Sequence, residues 1–257
     1  MCLSIARDSR RPTSVLTFIP PDWPAPARVR AVTTTRAGGV SHGPYASFNL
    51  GDHVGDDPAA VARNRELLRA ALKLPADPVW LRQVHGNQVL NALQVDAHNK
   101  ADGAWTAQPG VVCTVLTADC MPVFLCDRAG TKVALLHAGW RGLAAGVIEQ
   151  GVRALGVAPE EVLVWLGPAI GPNAFEVGPE VKVAFVQNDS AAEAAFAPAN
   201  TGRYLADLYA LARLRLSALG VSRVFGGGFC TFTERDRFFS YRRDGACGRM
   251  ASLIWLE

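Results

Sequence analysis

Between residues 79 and 166 the chain is strung together from apolar runs of only five to seven residues, at 79–85, 89–95, 111–117, 123–127, 133–137 and 162–166. Each is cut off by a turn or a polar residue. Runs this short suit strands, not helices, which need ten residues or more to bury a stripe. They are also far too short to span a bilayer. Val162–Leu166 is apolar at every position rather than alternating.

Helical periodicity interrupts this series. Asp57-Pro58 is a good helix start, since Asp caps free N–H groups and Pro is tolerated at the first helical position. Val61, Leu67, Leu68, Ala71 and Leu72 then form a stripe that ends before Pro75. Further helices are predicted over 143–155 and 205–219, the latter followed by Gly220. Residues 29–36, 221–225 and 250–256 read as additional strands. Strands and helices alternate irregularly, so the pattern is not a regular βαβ repeat. The expected fold is a layered α/β sandwich, with mixed sheets covered by helices, in a single domain over 18–257. Residues 1–17, rich in Arg and carrying Pro12, are expected to be a loosely ordered leader without a catalytic role.

Charge excludes some functions. The net charge of +3 is already reached in the first thirty residues, where five Arg face Asp8 and Asp22. The remainder balances, so no basic face for nucleic acid is expected. Charges at Arg7, Asp8, Arg10 and Arg11 rule out an apolar export signal at this end, and no membrane span is expected. The chain therefore reads as cytoplasmic, and its six cysteines as reduced thiols. Cys113 and Cys126, in apolar runs, read as small core residues.

Three residues stand where a predicted strand stops: His85 before Gly86-Asn87, Cys120 before Met121-Pro122, and His137 before Ala-Gly-Trp-Arg-Gly. Strand ends are where α/β folds gather reactive groups. Two imidazoles and a thiolate suit zinc, and three protein ligands leave a fourth position open. A lone His or Cys at a strand end is as a rule structural, so residue type alone leaves this reading open. Beside His137, Gly139 and Gly142 allow close backbone approach. Arg141 and the start of the next helix would form an anion site, or merely a tight turn with a surface salt bridge. Gln83 lies two residues before His85, on the same strand face, as a support for a metal ligand. Asp119 would serve that way only through a bend.

Several motifs in order carry a resemblance. They are Leu-Arg-Gln-Val-His-Gly at 81–86, Thr-Ala-Asp-Cys-Met-Pro-Val at 117–123, His-Ala-Gly-Trp-Arg-Gly at 137–142 and Leu-Gly-Pro-Ala-Ile-Gly-Pro at 166–172. Thr-Arg-Ala-Gly-Gly-Val-Ser at 35–41, Phe-Phe-Ser-Tyr-Arg-Arg-Asp at 238–244 and Gly-Arg-Met-Ala-Ser at 248–252 complete the set. Together they resemble the YfiH-type family, first named for a laccase or polyphenol oxidase domain. The resemblance implies one zinc held by His85, Cys120 and His137. It implies purine nucleoside phosphorylase activity on adenosine, inosine, guanosine and methylthioadenosine, with adenosine deamination. Purine nucleosides and phosphate are then the partners. Arg141, with Arg36 beside Gly38-Gly39, is expected to hold phosphate, and Asn49, Tyr241 and Arg242 to contact substrate. His53 is expected as a general acid or base, or else as a loop histidine paired with Asp52 or Asp56.

Other readings stay open. Multicopper chemistry needs many imidazoles, and the chain has five His and no His-x-His pair. Copper is then at most an adventitious ion at a His2Cys site. A metal-independent cysteine hydrolase would use Cys120 as nucleophile and His137 as base, as in deamidating toxins. Asp119 is a poor orienter for it, because neighbours in a strand face opposite sides. Some members of the family are described as peptidoglycan-editing factors, which makes muropeptide precursors an alternative substrate.

Overall fold

The computed structural model describes residues 15–96 and 98–257. Most of the 1–17 leader lies outside the described residues. Its last part is hydrogen bonded into the fold, with Thr17 accepting from the Thr35 amide at 3.1 Å.

The strands in chain order are β1 (Phe18–Ile19), β2 (Val29–Thr34), β3 (Val89–Asn91), β4 (Gly103–Thr106), β5 (Cys113–Thr117), β6 (Met121–Asp127) and β7 (Val133–Ala138). They continue with β8 (Val162–Leu166), β9 (Glu176–Val177), β10 (Phe196–Pro198), β11 (Tyr204–Ala206), β12 (Arg223–Gly226) and β13 (Met250–Leu256). The helices are α1 (Pro58–Leu72), α2 (Trp140–Ala144), α3 (Val147–Leu155), α4 (Pro179–Val186), α5 (Leu208–Ala218) and α6 (Tyr241–Asp244). A six-stranded mixed sheet has the order β12-β8-β6-β7-β4-β3, and a four-stranded sheet the order β1-β2-β13-β5. The strands β10-β11-β9 form a small third sheet.

Alternation along the strands stacks these layers. On β6, Phe124 and Cys126 face the four-stranded sheet while Met121, Val123 and Leu125 face helices. On β13, Met250, Ile254 and Leu256 meet the six-stranded sheet, and Ala251, Leu253 and Trp255 pack with Leu68 of α1. Helices α3, α4 and α5 cover the outer face of the larger sheet through Val152, Phe185 and Leu211. The order of layers is therefore α1, four strands, six strands, then α3–α5. Both sheets are covered on both faces, which explains the uninterrupted apolar runs. The mixed, layered α/β sandwich expected from the sequence is the observed architecture.

Among the expected elements, those that depart furthest are the following. Residues 79–85 form no strand: Val79 and Arg82 make isolated bridges to Cys113 and Lys100. The side chain of Gln83 supplies the missing pairing, giving Nε2 to Leu116 O at 2.8 Å and accepting from Leu116 N at 2.7 Å. The helix expected over 143–155 is two helices, broken at Gly146, whose φ of 91° leaves the helical region. The helix expected from 205 begins at Leu208, because Asp207 caps the Ala210 amide at 3.0 Å and Tyr204–Ala206 is strand. The run expected over 89–95 stops at Asn91, whose side chain caps a 3-10 turn. The Asp57 cap and Pro58 start of α1 are as expected. No described helix is long and apolar enough to cross a membrane.

Candidate metal centre

The site lies at one open end of the two-sheet sandwich. Cys120 occupies the tight turn between β5 and β6, which carries the chain from one sheet to the other. His137, next to last in β7, lies opposite Pro122. It shares strand parity with Val133 and Leu135, so its ring is on the face between the sheets. His85 ends the strap pinned by Gln83. The three donor atoms lie within 4.8 Å of one another, and the His85 and His137 rings meet edge to face with centroids 4.8 Å apart.

Asp102 organises two of the three. Its fully buried carboxylate accepts from the His85 amide at 2.8 Å, the Gly86 amide at 2.7 Å and the Val84 amide at 3.2 Å. Oδ1 also meets His137 Nδ1 at 2.8 Å, and the Asp102 carbonyl accepts the His137 amide at 2.6 Å. These bonds hold His85 in the left-handed region, at φ 60°, which non-glycine residues rarely adopt. They also turn the other nitrogen of His137 toward Cys120. Sequence reasoning missed Asp102. The one signal was an acidic residue inside the small apolar stretch 101–105, where a charge is costly to bury without partners.

The electrostatics separate Cys120 from the core thiols. Burial pushes Cys113 and Cys126 up to about 12. Burial acts on Cys120 in the same sense, but the positive His137 and hydrogen bonds from His137 and His85 outweigh it and hold its thiol below the usual value. His137 is shifted the opposite way: burial favours its neutral form, and the Cys120 thiolate with Asp102 overrides that. Asp102 stays below the usual carboxylate range, because hydrogen bonds from His137 and Gly86 overcome its burial.

The donor set fits a small, borderline-soft ion. Two imidazoles and a thiolate suit zinc bonds of about 2.0–2.3 Å, and a carboxylate behind a ligand histidine is the usual support. The space is kept open by Gly139, where an added Cβ would lie 2.8 Å from Cys120 Sγ and 3.2 Å from His85 Cδ2. At Gly142 a Cβ would lie 2.6 Å from Gly86 O, so only glycine lets α2 approach the His85 turn.

A cleft of about 530 Å³ opens over the cluster. The structure gathers around it His85, Cys120, His137, Gln83, Asp119, His53, Arg141, Tyr241 and Arg242. Arg141 stacks on Trp140 at 4.5 Å, and Arg242 on Phe175 at 5.3 Å. Tyr241 is 61% exposed and presents its ring at the rim. His53 is exposed and lies 3.4 Å from Asp52, in the loop pairing foreseen for it. Asp119 does not face the ligands. With φ 91° its carboxylate turns away to accept from the Thr231 hydroxyl at 2.6 Å and the Arg242 amide at 2.7 Å.

Two expected contacts are corrected. Arg36 is outside the cleft: its guanidinium binds Ala46 O at 2.9 Å and Arg235 O at 3.2 Å, and stacks on Phe239. Asn49 is fully buried, and its amide bonds Gly51, Asp56 and the Arg249 backbone, so it builds the wall without reaching the cleft. Arg249, to which sequence reasoning gave no role, does line the cleft.

Known proteins match this arrangement over nearly its whole length. The family described as multi-copper polyphenol oxidoreductase laccase matches residues 30–257. The chain is 58% identical over 241 residues to a purine nucleoside phosphorylase of Pseudomonas aeruginosa, covering 93% of this chain and 98% of that protein. It is 56% identical over 240 residues to the purine nucleoside phosphorylase YfiH of Escherichia coli, again over 93% and 98%. A crystal structure of a Neisseria meningitidis protein superposes with a TM-score of 0.90 at 54% identity, covering 93% of this chain and 99% of that one. YlmD of Geobacillus stearothermophilus does so at 0.81 and 33% identity, covering 90% and 93%. The chain belongs to the YfiH family of laccase-like proteins.

Proposed function

We propose that the chain is a zinc-dependent purine nucleoside phosphorylase, acting on adenosine, inosine, guanosine and methylthioadenosine, with adenosine deaminase activity. The observation that carries this reading is a His2Cys cluster at the floor of a cleft rimmed by arginines and aromatic rings. The names of relatives more than half identical in sequence support the substrate class.

His85, Cys120 and His137 would hold the ion. A zinc ion held there would supply Lewis acidity and lower the pKa of water. The chain's own groups do the rest. Asp102 fixes the tautomer and aim of His137. Arg141 and Arg242 bind and orient phosphate so that one of its oxygens attacks the anomeric carbon as the glycosidic C–N bond breaks. Tyr241 and Phe175 offer ring faces to the purine. His53, at the exposed rim, gives a proton to the departing base.

Copper fits poorly. Multicopper chemistry needs several imidazole-rich sites, and the described residues form one three-donor cluster. One specific observation favours a second reading: Cys120, His137 and Asp102 stand in series, as nucleophile, base and orienter do. Asp102 takes the place for which Asp119 was unsuited. A metal-independent cysteine hydrolase then has its three parts, while His85 has no task in it.

The test is a panel of purine nucleosides with and without phosphate, together with UDP-linked muropeptide precursors. Metal content is measured alongside. Free base and ribose 1-phosphate formed only with phosphate supports the phosphorylase. Zinc-free protein that acts on an amide or peptide substrate and is inactivated by alkylation at Cys120 overturns it in favour of the hydrolase. Turnover of muropeptides alone assigns cell-wall editing.

A further inference from the structure

We propose that Arg249 is a phosphate-recognition residue of the cleft, and that buried Asn49 and Gly51 serve to place it. This deepens the reading of the cleft as a phosphate-using site and rests on it.

Arg249 immediately precedes β13 in the four-stranded sheet, whereas Arg141 follows β7 of the six-stranded sheet. The two cations therefore enter the cleft from different sheets. Most other arginines with described partners are neutralised by carboxylates, as Arg65, Arg215 and Arg243 are by Asp52, Glu149 and Asp244. Arg249 has no carboxylate partner among the described residues. Its Nη1 donates to Cys247 O at 2.8 Å, Gly248 O at 3.1 Å and Cys247 Sγ at 3.5 Å, which leaves Nε and Nη2 without acceptors among the described residues. The guanidinium lies 5.9 Å from the Tyr241 ring centroid, the ring expected to take the purine.

The support beneath it is specific. Asn49 Oδ1 accepts from the Arg249 amide at 2.9 Å and the Gly51 amide at 2.9 Å. Its Nδ2 donates to Gly51 O at 3.0 Å and Asp56 Oδ2 at 2.9 Å. A Cβ at Gly51 would lie 2.9 Å from Arg249 Cγ, so the loop must be glycine there for the arginine to lie across it. A buried amide with every valence used, a glycine cleared for the stem and a fork left unpaired in a cleft together describe a guanidinium held for an anion. Two forward N–H groups match the paired oxygens of a phosphoryl group. That group has two sources: free inorganic phosphate, or a phosphate ester on the nucleoside itself.

The experiment compares metal-loaded wild type with Arg249→Lys and Arg249→Gln. It measures the KM for inorganic phosphate, the KM for inosine, and inhibition by inosine 5′-monophosphate. The expected result is a rise of at least about tenfold in one of the two phosphate readouts, the size of one lost bidentate pair, with the KM for inosine nearly unmoved. A rise in the phosphate KM assigns free phosphate, and a rise in the inhibition constant assigns the ester. Folded, metal-loaded variants in which both readouts stay within twofold of wild type overturn the proposal. Wild type is also treated with phenylglyoxal, with and without about 50 mM inorganic phosphate or inosine 5′-monophosphate, enough to saturate weak anion binding. Peptide mapping should show Arg249 protected by at least one of them, and no protection by either contradicts the assignment even where a variant fails to fold. Absence of inosine phosphorolysis in wild type would instead remove the phosphorylase reading, leaving the protection result to decide Arg249.

Discussion

Asp102 Oδ1 lies 2.8 Å from His137 Nδ1 and 2.8 Å from the amide of His85, so one buried carboxylate aims two of the three candidate ligands. The third, Cys120, enters from a turn that joins the two sheets. The cluster therefore depends on three separate segments meeting at one end of the sandwich.

Replacing Asp102 tests that dependence. Asp102→Ala strands three backbone amides and the His137 ring, and removing one partner from a buried charged network costs about 3–5 kcal/mol. Chemical denaturation measures it. Asp102→Asn keeps the shape but offers one acceptor oxygen in place of two. Metal affinity, read by chelator competition, should fall about 10–100-fold, the usual effect of losing a carboxylate behind a ligand histidine. Unchanged affinity in Asp102→Asn would show that the carboxylate only stabilises the fold.

Acid should act through the same group. Asp102 is held below its ordinary value in the fold, so its contribution is present above the unfolded carboxylate pKa and is lost as pH falls through the lower folded value. Metal-free wild type should lose stability more steeply than metal-free Asp102→Asn below about pH 4, near the unfolded carboxylate value. Parallel slopes in thermal unfolding across that range would contradict this.

Gly139→Ala places a methyl 2.8 Å from Cys120 Sγ. Either the thiol or His85 must move. Zinc stoichiometry should drop well below that of wild type while the far-ultraviolet circular dichroism spectrum is retained. A fully loaded variant would mean that the cluster is looser than its geometry indicates.

Arg141→Ala should raise the KM for phosphate about tenfold or more, as loss of a charge-assisted contact does, while leaving the metal bound. The Arg141 guanidinium has no hydrogen-bond partner among the described residues and only stacks on Trp140, so its stability cost should stay within about 0.5 kcal/mol. Phosphate kinetics unchanged in this variant would remove Arg141 from that role.

Much of the fold was legible because the central strands are apolar on both faces. Val162–Leu166 and Met250–Leu256 have the bounds that their apolar runs indicated. The 79–85 strap was misread because Gln83 replaces a strand's backbone pairing with its side chain, which periodicity does not register. The split between α2 and α3 turns on Gly146, whose small cost inside a helix pattern does not announce a break. The two- and three-residue strands of the small sheet are too short to leave a pattern. At the site, the strand-end rule pointed to Cys120 and His137, and to His85 although its segment is a strap held by Gln83 and not a strand. It did not find Asp102, because a buried carboxylate is defined by amides distant in sequence. Nor did motif position separate Arg36, which lies outside the cleft, and Asn49, which builds its wall, from Arg249, which lines it.

Three residues are proposed to hold one ion that the reaction needs. The most direct measurement is metal content and inosine phosphorolysis on the same preparation of wild type, before and after chelation and zinc return. The account requires about one zinc per chain, with ribose 1-phosphate formation lost on chelation and restored by zinc, and no zinc retained by Cys120→Ala. Full phosphorolysis by protein stripped of metal, or zinc bound undiminished without Cys120, would contradict it.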